Sequence, residues 1–132
     1  MPRNQIPLPL STDTRVAVFR GAHIRRTLHN DEWWLVVEDV VAALTASTDP
    51  KQYVKRMRQR DEELNKGWVQ IVPTLPVETS GGPQRMSCAN AEGLFRIIQS
   101  IPSPKAEPFK RWLARRASAL AVGDGAGVRS GR

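Results

Sequence analysis

Several residue types that carry chemistry are scarce in this chain. It has one cysteine, Cys88, so it can form neither an internal disulfide nor a multi-cysteine metal centre, and a reducing cytoplasm is the expected compartment. Its two histidines, His23 and His29, have no cysteine or acidic cluster at ligand spacing beside them, and they read as surface residues. Cys88 itself precedes a helix cap, where a thiol pKa can fall, but a core thiol is the simpler reading. Long apolar runs are missing as well. The opening MPRNQIPLPLSTDTR is broken by Pro7 and Pro9, which suits neither a secretory leader nor a membrane span. No glycine-rich phosphate loop occurs, and Glu38 and Asp39 lack a partner carboxylate at helical spacing. The expectation is a non-enzyme without metal or cofactor.

Acid is the other scarcity, with Asp+Glu 13 against Lys+Arg 20 and a formal net charge of +7. Such a field attracts polyanions: nucleic acid, anionic lipid or an acidic protein face. The plainer alternative is charge kept only for solubility. Hydrophobic content of 40% over 132 residues suits a single soluble core. The expected division is an extended or disordered segment over 1–14, one domain over 15–122, and a disordered Gly/Arg tail over 123–132.

Within the domain, Arg15 to Phe19 reads as a strand, with Ile24 to Leu28 as its hairpin partner after a turn at Gly21. A second turn at Asn30 and Asp31 leads into the strand Trp33 to Val37, completing a three-stranded antiparallel meander. Arg26 shares the parity of Ile24 and Leu28, so it either pairs with a carboxylate such as Asp39 or sits at the sheet's rim. Trp33 and Trp34 must face opposite sides, one core and one a candidate surface aromatic, and the pattern does not say which. Val40, Val41 and Leu44 make a short helix.

Asp49 as N-cap, Pro50 at the first position and Gln52 in a capping box then open a second helix, which closes at Lys66 and Gly67. Its apolar side is Tyr53, Val54, Met57 and Leu64, and from Lys51 to Arg60 it carries basic residues and no acidic one. Trp68 to Val72 alternates as a strand that Gln84 to Cys88 can pair with. Pro73, Pro76, Gly81, Gly82 and Pro83 between them suggest a long exposed loop. Asn90 caps a helix whose Leu94, Ile97, Ile98 and Ile101 share one face, and Pro102 stops it. Beyond the elbow, Phe109, Trp112, Leu113, Ala117 and Leu120 form the stripe of a last helix. The fold class expected is α+β: a small antiparallel sheet, the meander plus a later hairpin, packed with about four helices.

The run CANAEGLFRIIQ followed by SIPSPKAEPFKRWLA resembles the end of the BRO-family N-terminal domain found in phage and prophage antirepressors. Its wording is similar to that of the bacterial DNA damage-inducible protein D. The resemblance continues upstream through FRGAHIRRTLHNDEWWLVVEDVVAAL and so spans Val16 to Leu120. It implies a DNA-binding domain concerned with the control of repressors. Members commonly continue into a second domain, and activities of that second part, repressor inactivation or recombinase modulation, are not implied here.

The residues expected to meet nucleic acid are Lys51, Lys55, Arg56 and Arg58 on the earlier basic helix and Lys105, Lys110, Arg111 and Arg115 on the last one, since long cationic side chains supply phosphate contacts. Lys51, Lys55 and Arg58 fall at i, i+4, i+7, an outward row. DNA is the first partner expected. A repressor or recombination protein with an acidic face is the alternative, a homo-oligomer is open, and no membrane partner is expected.

Overall fold

A computed structural model describes the backbone over residues 16–125, with side chains described through Arg116. The expected segment 1–14 and the tail from residue 126 onward lie outside the described residues, while the last helix itself runs to Gly125.

The meander consists of β1 (Val16–Phe19), β2 (Ala22–His29) and β3 (Glu32–Val36). Both of its turns have two central residues with left-handed backbone, Arg20 and Gly21 at φ 49° and 84°, Asn30 and Asp31 at φ 54° and 62°. Two-residue turns of this hand match the natural twist of a hairpin, and Gly, Asn and Asp bear the conformation most easily. The pairing Ala17↔Ile24, Arg26↔Leu35 and Leu28↔Trp33 puts those residues on one face, and Thr27↔Trp34 on the other. β4 (Thr74–Thr79) and β5 (Gly82–Ala89) form a second hairpin, joined through Leu35↔Ala89 and Val36↔Cys88 to give one antiparallel sheet of order β1-β2-β3-β5-β4.

Three local expectations fail here. The stretch Trp68 to Val72 is not a strand but the end of a helix, α3 (Glu62–Ile71), because Leu64 and Trp68 at i, i+4 both turn inward while Val69 between the turns is 82% exposed. The residues expected to make a long loop instead supply β4, in which Leu75 and Val77 alternate inward and Pro76 sits on an edge strand. The single helix expected from Asp49 to Gly67 breaks at Asp61 into α2 (Pro50–Arg60) and α3. Asp61 ends the first, and its carboxylate caps the second by accepting from Leu64 N at 3.0 Å. With α1 (Val37–Leu44), α4 (Ala91–Ile98) and α5 (Ala106–Gly125) the helices number five among the described residues.

The sheet's two faces carry two cores. The larger one joins Phe19, Ile24, Leu35 and Ala89 to Val40, Val41, Leu44, Met57, Leu64, Leu94, Ile97, Ile98 and Phe109 of the helices, with Trp33 and Trp112 half-buried against it. The smaller one gathers Val36, Leu75, Val77 and Cys88 beneath Trp34 and Met86. Each tryptophan of the Trp33–Trp34 pair therefore packs, on opposite faces, and neither is a free surface aromatic. Arg25, not Arg26, takes Asp39: its guanidinium donates to both carboxylate oxygens at 2.8 Å and its backbone N–H adds a third bond at 2.9 Å. Arg26 lies over the Trp33 ring, 4.0 Å from its centroid.

The elbow between α4 and α5 is tied down by Ser103, whose hydroxyl donates to the Leu44 carbonyl at 2.5 Å. α5 then crosses to the far edge of the sheet. Phe109 meets Phe19 edge-on with centroids 5.0 Å apart, and the Trp112 indole N–H donates to the Val18 carbonyl at 3.0 Å. On the opposite edge, the Arg85 guanidinium donates to the Thr74 carbonyl at 2.7 Å.

Candidate nucleic-acid interface

α2 is held by few apolar contacts and exposes much charge. The Asp49 carboxylate accepts from Gln52 N at 3.1 Å and Pro50 opens the first turn, so the start signal in the sequence is honoured on that side. The reciprocal half of the capping box does not form, because Asp49 N donates to the Ser47 hydroxyl at 3.2 Å. Met57 is fully buried and Tyr53 and Val54 are half-buried, which turns the remaining surface outward. Lys51, Lys55, Arg56 and Arg60 are all exposed. Among the described residues, Lys51, Lys55 and Arg56 enter no ion pair and donate no hydrogen bond.

Arg58 departs from the expected outward row. Its Nε donates to Asn65 Oδ1 at 2.9 Å and its guanidinium sits 4.9 Å from the Trp68 ring centroid, so it clamps α2 to α3. The reason is angular: Arg58 follows the buried Met57 directly and lies on the flank that faces α3. Arg60, which the sequence reading passed over, is exposed and reaches the Ser100 carbonyl at 3.3 Å. Next to it the Asp61 carboxylate accepts from the Ser100 hydroxyl at 2.5 Å and from Arg96 Nη2 at 3.4 Å. The Ser100 hydrogen bond, then the Leu64 amide and the Arg96 charge, hold the Asp61 carboxyl below its ordinary pKa. The C-terminal end of α2 is thus fastened to the last turn of α4, just before the elbow.

The basic residues of α5 are differently placed. Lys105 is exposed at the elbow, and Arg111 and Arg115 are exposed along the helix. Lys110 is half-buried and pairs with Glu107 at 2.7 Å, a contact that holds the Glu107 carboxyl below its ordinary pKa. Arg116 lies over the Trp112 ring at 4.5 Å. Near it, burial and the Arg116 charge both depress Arg26. Of the eight expected residues, six are exposed and two, Arg58 and Lys110, are engaged within the fold. Each helix keeps its own surroundings: α2 leans on α1 and α3, α5 on α4.

The remaining chemical groups are packed. Burial pushes the Cys88 thiol up to about 11, so the core reading of this cysteine prevails over an activated one. Among the described residues there is no group of three His, Cys, Asp or Glu side chains arranged to hold a metal ion, and no helix long and apolar enough to cross a membrane.

A sheet of meander plus hairpin, an Asn90-capped α4 and a Ser-Pro elbow leading into an aromatic-striped α5 make up the α+β fold expected from the residues. The family model for the BRO family, N-terminal domain, matches residues 23–119. The chain belongs to the BRO family. No curated protein and no solved structure matched it. The BRO match begins inside β2 and ends within α5, so it takes in both basic helices, the Asp61 junction and the elbow.

Proposed function

We propose that this BRO-family domain is a DNA-binding regulatory module of the phage or prophage antirepressor type, acting by binding and without a covalent step. The observation that carries the reading is the outward face of α2. It presents Lys51, Lys55, Arg56 and Arg60 with no acidic residue among them, although unneutralised charge adds nothing to folding. Lys51, Lys55 and Arg56, which have no internal partner among the described residues, are available to replace the counterions of a phosphate backbone, and Arg60, though it reaches the Ser100 carbonyl, is exposed beside them. Lys105, exposed at the elbow, and Arg111 and Arg115, exposed along α5, offer secondary cations.

The test is a fluorescence-anisotropy titration of labelled duplex DNA across a range of salt. Each duplex phosphate neutralised contributes a slope of about −0.9 in log K against log salt, so five contacts give about −4 to −5. A flat salt response, or no binding at low salt, rejects the reading. Retention of a repressor or recombination protein under those conditions would instead support an acidic protein face as the partner.

A further inference from the structure

The reading of α2 as a phosphate-binding surface accounts for its charges but not for two uncharged residues set among them. Counting about 100° per residue from the buried Met57, Lys55, Gln59 and Gln52 fall at about 160°, 200° and 220°. By angle these three form the ridge farthest from the core, with Lys55 and Gln59 exposed and Gln52, in the first turn, half-buried. On the same count Lys51 lies at about 120°, and Arg56 and Arg60 at about 260° and 300°, so cations flank the ridge on both sides, while Arg58, at about 100°, is held by Asn65 and Trp68.

Neither glutamine is occupied. The capping box would have engaged the Gln52 side chain, but Asp49 N is bonded to Ser47 instead, and Gln59 is exposed; among the described residues neither carboxamide has a partner. A carboxamide donates and accepts at once, and in the major groove it matches adenine N6 and N7, while a lysine matches guanine O6 and N7. The groove, about 12 Å wide, admits a helix, and cations on either side of the ridge then meet the two backbones.

Resting on the DNA-binding reading above, we propose that α2 enters the major groove, and that Gln52 and Gln59 read adenines there while the flanking cations hold the two sugar-phosphate strands. Seven residues of helix rise about 10.5 Å, or about three base-pair steps at 3.4 Å. The preferred site therefore carries two A·T pairs about three steps apart, with Lys55 facing the pairs between them.

The experiment is selection of bound duplexes from a library with a randomised centre, followed by titration of the enriched site. Wild type enriches the two A·T positions. Gln59→Ala weakens binding to the selected duplex by about 5- to 150-fold, the cost of losing one bidentate base contact. It leaves affinity for an unrelated duplex, the salt slope and the melting temperature unchanged. Replacing the enriched adenine with 7-deazaadenine, which removes N7 without disturbing pairing, weakens wild type but not Gln59→Ala. Duplex binding with no enriched positions, or a Gln59→Ala variant that keeps the wild-type preference, overturns the proposal and leaves the DNA-binding reading intact. Absence of any duplex binding overturns both.

Discussion

α2 and α5 are both basic, and they put their charge to different uses. α5 is anchored by aromatic packing, with Phe109 fully buried and edge-on to Phe19, and two of its cations are engaged within the fold, Lys110 with Glu107 and Arg116 over Trp112, while Arg111 and Arg115 stay exposed. α2 has one fully buried side chain, Met57, and its cations stand clear except where Arg58 and Arg60 tie it to α3 and α4. Composition alone does not distinguish a helix whose charge serves the fold from one whose charge waits for a partner. The distinction lies in what each cation touches.

The sharpest way to break that comparison is through the core of α5. Trp112→Ala removes an indole packed on Phe19 and Phe109 and frees the Val18 carbonyl. It should cost about 3 kcal/mol in chemical denaturation, the low end for a large aromatic because this one is only half-buried. A melting temperature within a degree or two of the parent would show that α5 is not the structural helix. Next in size is charge reversal on α2. Lys55→Glu with Arg56→Glu should leave the melting temperature almost unchanged and lower duplex affinity at least 100-fold, about 2.7 kcal/mol. Reversal of Arg111 and Arg115 should lower affinity less than tenfold. If the two pairs exchange these outcomes, the roles of the helices are exchanged too.

Arg58 gives a smaller and more diagnostic effect. Arg58→Ala should destabilise the fold by about 1 kcal/mol through its lost hydrogen bond and ring contact, and leave the salt slope of DNA binding unaltered. A slope reduced by one phosphate would put Arg58 back on the binding face. Smallest of all is the acid limb of α5. The Glu107 carboxyl is depressed by Lys110, so its contribution to stability is present above the ordinary carboxyl pKa of 4.5 and fades as pH falls through the lower native value. Glu107→Gln should therefore fall slightly below the parent at neutral pH and converge with it in acid, without altering duplex affinity. Parallel pH profiles would remove the pair from the account.

Much of this arrangement was legible in the residues. The meander, the Asn90 cap, the apolar stripe of α4 and the Pro102 stop were all marked by local chemistry that tertiary packing left in place. The reading went astray between Asp61 and Pro83. There Trp68 to Val72 satisfies period two as well as a helical face, and only the burial of Leu64 with Trp68 decides between them. Asp61 closes α2 and caps α3, and its carboxylate also accepts from Ser100 and Arg96, far along the chain, contacts that no local pattern marks. The basic positions of the candidate site were legible as a set. Which of them are spent internally was not, since Arg58 is taken by a stacking partner whose strand assignment was itself wrong.

Sheets of this size are vulnerable at their margins, where an unpaired row of backbone groups can recruit a strand from another chain. In this sheet the margins are β1 and β4. The indole N–H of Trp112 occupies an outward carbonyl of the first, and in the second Pro76 offers no donor while Arg85 covers the Thr74 carbonyl. Trp112 thus acts as a stopper as well as a core residue. Its truncation should expose a template for strand addition, so that the variant, even where it stays folded, gains a concentration-dependent tendency to form intermolecular β-structure that the parent lacks.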